Sequence, residues 1–258
     1  MLCLRLVGLA LLFPAVSAMA QSPQQEPAYS RKNSFGAFGE YSNTSSRILF
    51  GNAQQRKLLT FGASYGRRVM LRPLVDLQYF AEVRPLMFES DPVVHETVTT
   101  TFSSTGTQVN QSTYREVERC RSGLLFSGSG KLPDGVTFTS VGTATCGRQW
   151  AFGEGISPVG LKVNLLPRRS VQPVFTALIG YMFSAQQIPV DSAGSFNYTL
   201  ELGAGVELYH SREDSGSLLG NRSVRAEYRY HHISNKHTAD LNPGIDNGLV
   251  QITYAFGR

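Results

Sequence analysis

The chain has 258 residues, with 24 Lys and Arg against 19 Asp and Glu, a formal net charge of +5. So mild a basic excess suits an anionic surface but is more often just an ordinary solvated one, so charge alone names no partner, and no nucleic-acid partner is expected. Length alone suggests one or two domains.

The chain begins with Arg5, an apolar run over 6–13 and the small triplet Ala18, Met19, Ala20. This is the layout of a secretory signal peptide, 1–20, cut after Ala20. A membrane anchor is the weaker reading, because the run is well short of the roughly 20 residues a spanning helix needs. Cys3 lies in the leader, away from the cleavage point. Without Arg5, 23 basic and 19 acidic residues remain over 21–258. No later apolar stretch is long enough for a membrane helix. The remainder is expected to be a soluble exported domain, or a barrel whose apolar residues are diluted by alternation.

Two-residue alternation recurs along the chain, and helical periodicity is convincing nowhere. Strands are expected at about 34–42, 57–66 and 73–84. A connection of about seventy residues follows, 85–156, rich in Ser and Thr. Its runs TFSSTGTQV and GVTFTSVGT fit either an extended hairpin or a mobile loop. It carries Cys120 and Cys146, a disulfide candidate in an exported chain. No histidine lies near either cysteine, so a zinc site has little support and no metal is expected.

Further strands are expected at 157–165, 173–184, 195–208, 222–234 and 248–256. The clearest places Phe196, Tyr198, Leu200, Leu202, Ala204, Val206 and Leu208 on one face, with Asn197, Thr199, Glu201, Gly203, Gly205 and Glu207 on the other. That pattern runs longer than a typical sandwich strand and suits a tilted membrane strand of roughly 9–11 residues. The count is eight, even, as a closed single-chain barrel requires. The fold expectation is therefore all-β: an eight-stranded antiparallel transmembrane β-barrel with a long extracellular loop, filled by small residues and buried charged pairs. Connections at 43–56, 85–156, 185–194 and 235–247 would face outside, and those at 67–72, 166–172 and 209–221 the periplasm. An aromatic near the end, Phe256, resembles the terminal assembly signal of bacterial outer-membrane barrels, with Gly257 and Arg258 following it.

On 222–234, Arg225, Glu227, Arg229 and His231 would pair inside, while Val224, Ala226, Tyr228 and Tyr230 face lipid. His232 and Ser234 follow the lipid-facing parity at the outer end. Residues two apart on a strand share a face, so an imidazole can lean towards a hydroxyl and act as its base. A carboxylate to orient the ring could come from Asp246, at the start of the adjoining strand, and Asn235 and Asn242 supply amides near the same rim. Each has a plainer reading. His and Ser at a strand end are often interfacial hydrogen-bonders, and Asp246 and Asn242 precede good turn residues. His231 reads as an interior residue, and His237 and Asp240 as solvated loop residues.

The stretch HISN followed by NPGID resembles the signature of the lipid A 3-O-deacylase family, PagL, outer-membrane barrels also described as acyloxyacyl hydrolases. The close resemblance covers about the last thirty residues. It implies Ser234 as nucleophile, His232 as base, Asp246 as orienting acid and Asn242 as oxyanion donor, with Asn235 matching the motif in a less defined role. It also implies a bacterial outer-membrane, multi-pass location and a serine esterase removing the 3-O-linked acyl chain from lipid A of lipopolysaccharide, with no cofactor. Asp stands where Glu is familiar in the family, and the 85–156 connection exceeds that of a minimal member. Two other readings stand beside it: a non-catalytic barrel that binds partners through its long loop, and an outer-membrane phospholipase. Whether the chain forms a homodimer is open.

Overall fold

The computed structural model describes residues 28–210 and 221–258. The leader expected over 1–20, and most of the turn expected at 209–221, lie outside the described residues. Ten strands occur in the order β1 (Asn33–Ser42), β2 (Lys57–Leu71), β3 (Val75–Phe102), β4 (Gly106–Arg115), β5 (Gly123–Lys131), β6 (Thr137–Leu165), β7 (Val171–Ser184), β8 (Phe196–Tyr209), β9 (Asn221–Ser234) and β10 (Ile245–Gly257). The eight expected strands are all present, within a few residues at the boundaries that do not adjoin the long connection.

Eight of the ten close on themselves. Each is paired antiparallel in the cycle β1-β2-β3-β6-β7-β8-β9-β10, and β10 returns to β1 through a register that runs from Ser34↔Gly257 to Tyr41↔Val250. Closure leaves no bare row of backbone amides around the ring.

Alternation decides which side chains fill the ring. On β9 every odd residue from Asn221 to Ile233 is buried, and Arg222, Val224, Ala226 and Tyr228 are exposed. The inward positions are mostly polar. Arg229 grips Glu82 through two bonds of 2.8 and 2.9 Å and reaches Glu227 at 2.9 Å. Arg84 holds Glu201 at 2.6 Å and Glu82 at 2.5 Å, and both arginines approach Glu40 at 3.3 to 3.4 Å. Lower in the ring, Glu207 receives Lys162 at 3.1 Å and Arg31 at 3.3 Å. Glu40, Glu82 and Glu201 lie close enough together to suggest a cation site, but the guanidinium groups of Arg84 and Arg229 already pair with all three. Ions this deeply buried persist only when paired and hydrogen-bonded.

The 85–156 connection differs from the expected loop. β3 and β6 continue as one ladder from Val75↔Leu165 up to Phe102↔Phe138, well past the end of the ring. Above it, β4 replaces β2 as the neighbour of β3, and β5 replaces β7 as the neighbour of β6. The result is a four-stranded extension, β4-β3-β6-β5. TFSSTGTQV forms its β3–β4 turn, and GVTFTSVGT lies at the start of β6. These strands are exposed on both faces, so their side chains carry little of the alternation that marks a half-buried strand. Cys120, between β4 and β5, is bonded to Cys146 of β6, with Cα atoms 5.9 Å apart.

Below this extension the buried Arg56 gathers three connections. It pairs with Asp91 at 3.2 Å and donates to the carbonyls of Val117 and Pro189 at 3.0 and 3.1 Å. Arg115 adds Asp91 at 3.3 Å and Asp191 at 2.6 Å. That end of the ring is thereby closed over.

Replacing Arg229 with Met removes one buried cation from Glu82 and Glu227, leaving Arg84 on the first and Arg225 on the second. The variant is expected to lose roughly 3–5 kcal/mol of unfolding free energy in a urea titration, and Arg229→Met combined with Glu82→Met to recover most of it. An Arg229→Met midpoint equal to the parent's would contradict the role given to this pair.

Candidate active site

β9 and β10 set the geometry. Their antiparallel register places Asp246 directly opposite His232. Both residues have outward parity, like Tyr228 and Val250. His232 Nδ1 lies 2.7 Å from Asp246 Oδ1, with Asp246 fully buried and His232 partly open.

Three further donors converge on that carboxylate. Tyr230, which follows the same outward parity, donates its hydroxyl to Oδ1 at 2.8 Å, and the backbone N–H groups of Leu49 and Phe50 donate to Oδ2 at 2.7 and 2.9 Å. With each donor bringing its own proton, the carboxylate acts purely as acceptor. The hydrogen between it and the ring therefore belongs to His232 Nδ1, so that in the neutral ring Nε2 keeps its lone pair.

The segment between β1 and β2 supplies those peptide donors, and glycine lets it come close. A Cβ on Gly51 would stand 2.5 Å from the backbone nitrogen of Asp246. Phe50 meets the His232 ring edge-on, centroids 5.5 Å apart. On the other side Gly244 holds a left-handed φ of +61°, and a Cβ there would sit 3.2 Å from His232 Cε1. That conformation and that clearance favour glycine.

Ser234 occupies the next outward position of β9. Its hydroxyl donates to Asn242 Oδ1 at 3.0 Å, and the backbone N–H of Asn235 donates to the same oxygen at 3.1 Å. A peptide N–H can only donate, so this contact fixes which end of the Asn242 amide is oxygen. Its Nδ2 is left to donate elsewhere. Asn235 turns its own side chain into the 235–242 connection, donating to Leu241 O at 2.7 Å and accepting from His237 N at 2.9 Å. The five residues singled out from sequence thus meet at one rim. The hydroxyl proton, however, points to Asn242 rather than to His232.

His232 and Ser234 open onto a groove of about 450 Å³ lined also by Phe50, Ile179, Tyr198, Thr199, Leu200 and Lys236. Its walls are largely apolar, and Lys236 Nζ stands 4.7 Å over the Tyr198 ring at one edge. Among the described residues, His231 is buried in the ring and lacks a hydrogen-bond partner for either nitrogen. Leu49, Phe50 and Tyr230 were not found from sequence. Two of the three act through backbone N–H groups, which leave no side-chain signature, and Tyr230 reads there as one more outward aromatic.

The family model of lipid A 3-O-deacylase, PagL, matches residues 128–255. Over this stretch, just under half of the chain, the sequence is similar to that family. The PagL match takes in β9, most of β10 and every rim residue named from sequence, but not the segment that carries Leu49 and Phe50. The family is one of lipid A deacylases, and the match supports a hydrolase at family level. No curated protein matches it in sequence. A solved outer membrane channel from Pseudomonas putida F1 aligns with 92% of this chain and 99% of its own, at 8% identity and a TM-score of 0.28, too loose a likeness to carry any argument.

The tautomer of His232 is directly measurable. In a ¹⁵N-labelled sample at neutral pH, its Nδ1 is expected to show the shift of a protonated nitrogen and Nε2 that of a bare one, and Asp246→Ala should abolish this asymmetry. A ring protonated on Nε2 in the parent would contradict the bonding described here.

Proposed function

We propose that the chain is an outer-membrane serine esterase that removes the ester-linked 3-O-acyl chain of lipid A, acting from the lipid-facing surface of its barrel. The observation that carries this reading is the His232–Asp246 pair opening onto the same apolar groove as the Ser234 hydroxyl. The pinned tautomer supplies a base, and the groove suits an acyl chain.

In this reading Ser234 turns its O–H from Asn242 towards His232 Nε2 and attacks the ester carbonyl as the proton passes to the ring. Asp246 stabilises the imidazolium without itself becoming protonated. The carbonyl oxygen becomes an oxyanion, which Asn242 Nδ2 meets as a donor. The sugar alkoxide then leaves, taking the proton from Nε2. Water, deprotonated by the same nitrogen, cleaves the acyl-enzyme to free fatty acid and restores the Ser234 hydroxyl. The scheme needs no metal or organic cofactor.

Membrane placement rests on the ring. Outward residues such as Phe35, Phe175, Ile179, Val250 and Ile252 are exposed, which suits hydrocarbon contact. The ring strands are long enough to span when tilted, and closure satisfies their backbone groups. The β4-β3-β6-β5 extension then stands outside the cell, as do the connections around the rim. A substrate anchored in the outer leaflet would reach Ser234 sideways, without leaving the lipid.

Lipid A incubated with the parent is expected to lose the mass of one hydroxyacyl chain, and lipid A incubated with Ser234→Ala to keep it. Asn242→Ala should slow the reaction roughly 10²–10³-fold, the usual cost of one oxyanion donor. Undiminished deacylation by Ser234→Ala would eliminate the assigned nucleophile. Release of fatty acid from phospholipid in preference to lipid A would favour the phospholipase reading.

A further inference from the structure

The segment that clamps Asp246 carries an unusual outer surface. Ile48, Leu49 and Phe50 are consecutive, large and apolar, and are exposed by 45%, 65% and 65%. Their backbone is firmly seated. Ser46 N donates to Asp246 O at 3.1 Å, Asn52 N to Pro243 O at 2.7 Å and Ala53 N to Gly244 O at 3.0 Å, flanking the two bonds from Leu49 and Phe50 to the carboxylate. The segment is thus fixed on its inner side to the candidate acid and presents three apolar side chains outward. Three adjacent exposed residues of this size make a contiguous patch of the kind that marks a contact surface.

We infer that Ile48, Leu49 and Phe50 form a lipid-entering tip, whose insertion into the acyl layer steadies the peptide N–H groups that hold Asp246 and so favours catalysis at a lipid surface. The occupant follows from continuity. Phe50 lines the groove together with Ile179 and Leu200, whose outward parity is that of the exposed ring face, so the tip extends the same apolar surface beside the nucleophile. A hydrocarbon layer can take up a convex, apolar tip without a shaped partner, and burying each such side chain is favourable by enough to couple the two events. The inference rests on the esterase reading, and it adds a physical reason for activity to depend on the interface.

Full-length protein in phosphatidylcholine vesicles tests the insertion. Trp150 is the chain's single tryptophan, so Trp150→Phe supplies a dark background into which Ile48→Trp or, as control, Val250→Trp is placed. Lipids brominated at carbons ~6 and 7 of the acyl chain are expected to quench both reporters several-fold. Quenching of the Val250 reporter alone overturns the tip while sparing the membrane reading. Quenching of neither refutes both. The coupling is read with Ile48→Asn, at an exposed residue that is not part of the groove lining. It should deacylate vesicular lipid A about tenfold more slowly than the parent, yet cleave a monomeric, water-soluble short-chain nitrophenyl ester at the parent rate. Equal rates on both substrates, or equal losses on both, overturn the coupling. A parent inert towards both substrates refutes the esterase reading and this inference with it.

Discussion

The register between β9 and β10 is the constraint on which the site depends. Because the pairing is antiparallel and places Asp246 opposite His232, the carboxylate meets the ring across the strands rather than along the chain. A slip of one residue would turn Asp246 into the ring and His232 out of reach. Two features hold the register. Buried charges on β9 are locked to other strands, with Arg229 bonded to Glu82 of β3. On β10, Gln251 Nε2 reaches Glu82 at 3.3 Å, so both strands answer to one carboxylate. The polar interior thereby sets the position of a site on the opposite face of the sheet.

The rim completes what the strands begin. A strand pair alone gives Asp246 two partners, His232 and Tyr230. The β1–β2 segment adds two peptide N–H groups and shields the carboxylate from water. An acid held by four donors remains ionised and keeps one tautomer of the imidazole. Asp is shorter than Glu by one methylene, and direct cross-strand pairing accommodates this, since facing residues on neighbouring strands stand closest. On the proposed reading, Asn242 rests in a precatalytic arrangement, with its oxygen occupied by the Ser234 hydroxyl and the Asn235 N–H. Substrate binding would then release the hydroxyl to His232 while the Asn235 contact keeps the amide aligned.

Much of this is legible in the amino acids. The alternation Arg225, Glu227, Arg229 against Val224, Ala226, Tyr228 states which face of β9 is buried, because a strand repeats every two residues and polar interior positions contrast with apolar outer ones. The same contrast places His232 and Ser234 outward. It fails over 85–156, where β4 and β5 are wetted on both faces and Thr, Ser and Gly serve either side. Continuous ladders there come from the long-range pairing of β3 with β6, which local pattern does not encode. Leu49 and Phe50 escape notice for a different reason: what they give Asp246 is a backbone N–H, which no side-chain pattern marks. The Asn242 orientation is set by the single obligate donor of Asn235, a contact that appears only once the 235–242 connection is folded.

The central claim is that Ser234 is a nucleophile activated by His232 at a lipid-facing groove. Its most direct measurement is covalent trapping with a long-chain alkyl fluorophosphonate, followed by peptide mass spectrometry. The account predicts one adduct, on the peptide that contains Ser234, formed by the parent and lost in His232→Ala. An adduct at another residue, or undiminished labelling of Ser234 when His232 is removed, would contradict it.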